Sequence, residues 1–184
     1  MLPFGHFAGG YLVASATAAA LSGVFPQAAP PKFMWVAIAA SVLVDLDDVV
    51  AFIKIGRLIA RTKSVDHRKF FTHIPLIHFC VSLLVAFVGY VAGSVDLQLF
   101  AIFYLVGILT HLFLDSFGYG VMWLWPCSLR LYAFTRAGKD FDIPTSLPVV
   151  KYWKIFVKEY LKTPVFYLEA ILITFTAIFF LIKF

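Results

Sequence analysis

Charge is what this chain has least of. Only 14% of its 184 residues are charged, where a soluble domain carries about 25%. Apolar side chains fill the gap at 62%, and the mean hydropathy is +0.92. That balance points to an all-α integral membrane protein, one membrane domain over residues 1–184. Cysteine is scarce too. Cys80 and Cys127 have no CxxC spacing, which argues for plain thiols over a disulfide or a thiolate metal site. No basic residue precedes the first apolar stretch, so a cleavable signal peptide is not expected. Neither GxSxG, a P-loop nor GxGxxG occurs, which removes the basis for a serine hydrolase or a nucleotide-binding protein.

What the chain does have is long apolar runs. The first, about Phe7 to Phe25, is rich in small residues that let helix backbones approach closely. Pro26, Pro30 and Pro31 break it from a second, Phe33 to about Ile55, whose later half holds Asp45, Asp47 and Asp48. Runs from about Ile74 to Ala92, Leu97 to Phe117 and Pro164 to Ile182 follow, giving about five expected transmembrane helices. Before the last run, Val149 to Leu161 alternates Lys151, Lys154, Lys158 and Lys162 with aromatic residues. That pattern predicts an amphipathic helix lying in the membrane interface.

The basic residues orient these runs. Six Lys and Arg, from Lys54 to Lys69, lie at or after the end of the second run, and seven lie between Arg130 and Lys162. Only Lys32 and Lys183 fall on the other side. Thirteen against two predicts a cytoplasmic N-terminus and an external C-terminus by the positive-inside rule. The same distribution accounts for a pI of about 9.3 through anionic headgroups, with no nucleic-acid partner expected.

With that topology, the titratable residues gather on one side. His111 and Asp115 sit four apart on one face near the cytoplasmic end of an apolar helix. A central Asp in such a helix costs roughly 2.5–3.5 kcal/mol on insertion scales. His6, Asp45, Asp47, Asp48, Asp66, His67 and His73 all fall at the same level. Imidazoles and carboxylates together offer the N and O donors that a divalent transition metal takes. Each piece also has a plainer reading. His111 and Asp115 suit a buried hydrogen-bonded pair, and the acidic run suits a solvated helix end. The other histidines suit ordinary interface residues. His78, deeper in its run, suits packing or an outer support of the site.

The order of these residues resembles a known family. His6, then Asp45-Leu46-Asp47, then His67-Arg68 with Thr72-His73, then His111 and Asp115 look like the YdjM/YbcI-like (LexA-regulated) membrane-bound metal-dependent hydrolases. The resemblance covers about residues 3 to 126. Val44 stands where that family usually has Pro, and Lys69 and Ile74 replace its Gly and Ser. The family is in turn similar to the helical zinc-dependent phospholipase C and single-strand nuclease superfamily. No His follows His111, so the resemblance implies one or two ions, zinc first and manganese second, rather than three.

The expected ligands are His6, Asp45, Asp47, His67, His73, His111 and Asp115. The expected chemistry is metal-assisted hydrolysis of a lipid or lipid-linked phosphoester at the cytoplasmic face of a bacterial or archaeal inner membrane. Arg68 is placed to clamp a phosphate, and Asp48 or Asp66 to act as general base. Two other classes stay open: a non-catalytic protein stapled by its metal, and a cation or proton transporter.

Overall fold

A computed structural model describes all residues except 29, 48–68, 119, 136–140, 142, 145 and 184. Among the described residues there are six α-helices and no strand: α1 Pro3–Ser22, α2 Pro31–Leu43, α3 Pro75–Val91, α4 Val95–Asp115, α5 Val149–Tyr160 and α6 Pro164–Lys183. Proline opens α1, α2, α3 and α6, where its missing N–H has no helical partner to lose. Ser94 caps α4 by accepting from the Leu97 N–H, and Gly93 makes the tight turn before it at φ +65°.

Helix α4 is the centre of the bundle, packed by α1, α2 and α3, while α6 lies against α1. Small residues make this closeness possible. A Cβ on Gly107 would run into the backbone of Ala37, with Cα and C both at 2.9 Å, so α4 and α2 meet main chain to side-chain-free main chain. Three apolar clusters follow from that packing. Ala14, Phe33, Ala37, Leu99 and Phe103 fill the far end, and Ala40, Val44, Ile108, Leu112 and Val121 the near end. Met1, Leu114, Tyr152, Phe156, Tyr160 and Val165 seal α5 beneath the start of α6.

Among the described residues, two helices are long and apolar enough to cross a bilayer: Val95–Asp115 with mean hydropathy 2.1 and Pro164–Ile182 with 2.3. That is fewer than the five expected. Pro75–Val91 is apolar but spans 17 residues. The second run is not one helix up to Ile55, because α2 ends at Leu43 and a 3-10 turn, Val44–Leu46, follows. The exposed faces are apolar nonetheless. Phe79, Leu83, Leu84 and Phe87 on α3, and Ile171, Phe175, Ile178 and Leu181 on α6, all face outward. Contiguous exposed apolar bands of this kind suit lipid rather than water.

Candidate metal centre

Four chain ends bring the predicted residues together. His6 lies in the first turn of α1, Asp45 in the 3-10 turn after α2, and His73 in a second 3-10 turn, Phe71–His73, before α3. His111 and Asp115 close the last turns of α4. One donor atom from each of Asp45, His73, His111 and Asp115 falls within 4.8 Å of all the others.

The distances are tight and mutual. His111 Nε2 is 3.5 Å from Asp45 Oδ1, 3.5 Å from Asp115 Oδ2 and 3.4 Å from His73 Nε2. His73 Nε2 is 3.7 Å from Asp45 Oδ1 and 3.8 Å from Asp115 Oδ2. His6 Nε2 reaches Asp115 Oδ1 at 3.3 Å and Asp45 Oδ2 at 3.8 Å, and its ring stacks on His111 at 3.9 Å. A tetrahedral ion with bonds of about 2.0–2.2 Å would hold its donors roughly 3.3–3.6 Å apart, so this spacing suits an ion at the centre.

Two of the three inward nitrogens are aimed from behind. The Ser41 carbonyl, which can only accept, takes a hydrogen bond from His111 Nδ1 at 2.8 Å. The proton is thereby fixed on Nδ1 and the Nε2 lone pair faces the cluster. Asp47 does the same for His73, whose Nδ1 lies 3.0 Å from Asp47 Oδ2. Thr72 in turn donates to that carboxylate oxygen. Histidines that bind metals are held in this manner, by a carboxylate or carbonyl on the outer nitrogen.

Neither ring nitrogen of His6 makes a hydrogen bond among the described residues, although the ring is fully buried. A buried polar group without partners is costly, and a bound cation would satisfy it. The donor set, borderline N with hard O, is also the one that zinc accepts. By its donor spacing, its oriented imidazoles and its orphaned nitrogens, the cluster can hold a metal ion.

Burial works against a charge on His73, but the carboxylates of Asp45, Asp47 and Asp115 outweigh it and raise its pKa to about 9. The α-amino group of Met1 approaches Asp115 Oδ1 at 3.0 Å, which leaves Oδ2 to His73 and His111. Of the five inward residues only Asp45 is partly open, with 19% of its side chain exposed.

At this level of detail the chain can be compared with known proteins. The family model of the YdjM inner membrane protein matches residues 1–183. The chain belongs to that family. A relative, Inner membrane protein YbcI of Escherichia coli (strain K12), is 37% identical over 112 residues, 58% of this chain. The match spans 60% of that relative's length. No solved structure matches the chain. Membership in the YdjM family fixes an inner-membrane setting for the cluster just described.

The predicted site residues divide into three groups. His6, Asp45, His73, His111 and Asp115 are together. Asp47 is close by: its Oδ2 meets the outer nitrogen of His73, and its buried Oδ1 has no hydrogen-bond partner among the described residues. Asp48, Asp66, His67 and Arg68 lie outside the described residues. His78 supports from further out, as the outer reading expects: its Nδ1 meets the Tyr104 hydroxyl at 2.7 Å and its Nε2 the Thr72 carbonyl at 2.8 Å. The sequence reading missed Ser41 and Glu169. Ser41 acts through its carbonyl, which no residue type announces. Glu169 did carry a signal, as the lone acid in an apolar run.

Proposed function

We propose that the chain is a multi-pass inner-membrane hydrolase that uses one or two divalent ions, zinc first, to cleave a lipid or lipid-linked phosphoester. The observation that carries this reading is the cluster of three inward Nε2 atoms with two carboxylates. In this reading the chain crosses the membrane more than once, with the N-terminus and the site on the cytoplasmic side. The thirteen-to-two split of basic residues supports that orientation.

His6, Asp45, His73, His111 and Asp115 would hold the metal, joined by His67. When bound, such an ion supplies Lewis acidity, lowering the pKa of water and polarising a phosphoryl oxygen. Ser41 and Asp47 hold the outer Nδ1 protons of His111 and His73 in place, so the nitrogen each ring turns toward a metal is Nε2. His6, His73 and His111 are fully buried, and Asp45 is the most exposed of the five donors. Arg68 would clamp the phosphate and Asp48 or Asp66 would accept the proton.

Purified protein should contain metal by elemental analysis, and His111→Ala or Asp115→Ala should lose it. Unchanged stoichiometry in both variants would refute ligation. Hydrolysis is checked separately, by turnover of phospholipids and water-soluble phosphoesters. Burial of all three imidazoles favours one second reading, a non-catalytic staple between helices. Metal retained with no turnover on any of these substrates would select it.

A further inference from the structure

A second feature lies beside the cluster and is not part of it. Helices α5 and α6 and the first turn of α1 enclose a groove of about 440 Å³. Its walls include Phe4, Trp153, Val157, Phe166, Ala170 and Ile173. That volume is within the roughly 300–1,000 Å³ of small-molecule sites.

The one carboxylate in its lining is already spoken for. Glu169 is buried, with Oε1 accepting from the Gly5 N–H at 2.9 Å and Oε2 from the Tyr160 hydroxyl. With both oxygens engaged inside the protein, the groove offers an incoming ligand no unpaired carboxylate. Its wall on α6 runs from Phe166 to Ile173, roughly 10 Å at 1.5 Å per residue, along the direction in which that helix enters the bilayer. The occupant has to be elongated and apolar.

The rim says what the occupant carries at its head. On α5 the groove residues Trp153 and Val157 are each followed by an exposed lysine, Lys154 and Lys158, four apart on one face. Lys162 continues that face but is paired with Glu159 at 2.7 Å. Lys154 and Lys158 stand about 100° round α5 from Trp153 and Val157, just outside the lining, where long ammonium side chains complement a phosphate attached to an acyl chain.

We infer that this groove seats one acyl chain of an anionic phospholipid, with its phosphate held by Lys154 and Lys158. The inference needs the membrane setting but not the metal, so the two stand or fall separately. The probe is the full-length protein in vesicles of phosphatidylcholine containing increasing brominated phosphatidylglycerol or brominated phosphatidylcholine. The readout is quenching of Trp153, taken as the difference from a Trp153→Phe variant.

Half-quenching should need an about fivefold lower mole fraction of the anionic lipid than of the zwitterionic one. Lys154→Gln with Lys158→Gln should remove that preference. Ala170→Phe, which fills the groove and keeps both lysines, should remove it as well. A melting temperature of Ala170→Phe in detergent matching that of the unmodified protein shows that the bundle is still folded. Equal quenching by the two lipids would mean only bulk lipid along the helix and would overturn the inference. So would a preference that survives Ala170→Phe, or protection from both lipids in a protein that mass photometry finds dimeric.

Discussion

Two hydrogen bonds to outer ring nitrogens decide how the histidines behave. His111 takes its orientation from the Ser41 carbonyl and His73 from the Asp47 carboxylate. Asp47→Asn keeps the shape but weakens the hold on Nδ1, and loss of such an outer partner typically costs 10–100-fold in metal affinity. A competition titration with a chromogenic chelator measures it, and an unchanged affinity would contradict the orienting role. The raised pKa of His73 adds a pH signature. A histidine whose folded pKa of about 9 exceeds its ordinary 6.5 contributes stability that is complete below about pH 6.5. That contribution is lost as pH rises through about 9, so the metal-free protein should melt at lower temperature at pH 9.5 than at pH 6.5. Metal needs the unprotonated nitrogen, so apparent affinity should climb over the same interval while protons are released. Calorimetry in buffers of different ionisation enthalpy counts those protons.

At the scale of elements, the site depends on how closely α2 and α4 approach. Gly107→Ala would press a methyl into the Ala37 backbone, which cannot swing aside as a side chain can. We expect a loss of about 1–3 kcal/mol, read as a lower melting temperature in detergent. Metal affinity should fall with it, because Ser41 and Asp45 ride on the end of α2. A melt and metal content equal to those of the unmodified protein would refute this coupling. The sequence carried much of this arrangement but not all of it. The helices after residue 74 were readable to within a few residues, since their apolar runs are bounded by Pro75, Gly93 and Pro164. The end of α2 was not, because apolar Val42 to Val44 leads straight into the acidic run with no glycine or proline to mark a stop. Only the 3-10 turn explains why Asp45 faces the cluster while Asp47 turns to the outer side of His73. Hydropathy fixed which donors share a level, and turn geometry fixed which of them share a point.

For the whole molecule, orientation is the prediction with the widest reach. Cys80 on α3 and Cys127 in the segment after α4 are both exposed and free. In the proposed topology Cys127 faces the cytoplasm and Cys80 faces lipid. A charged, membrane-impermeant maleimide should therefore label Cys127 in inverted vesicles and not in right-side-out ones. Cys80 should react with neither until the membrane is dissolved. Labelling of Cys127 from the outside would reverse the topology and, with it, the side on which the cluster lies.

The five inward donors come from residues 6, 45, 73, 111 and 115 of 184, and that order has a consequence for biogenesis. While the ribosome is still short of Asp115, the nascent chain holds imidazoles and carboxylates that have no closed shell around them. The last donor arrives with the end of α4, which precedes α5 and α6 in the chain, so the donor set is complete before the final third is added. Truncations that stop before residue 115 should then be cleared by membrane quality control faster than those that stop just after the segment 116–135.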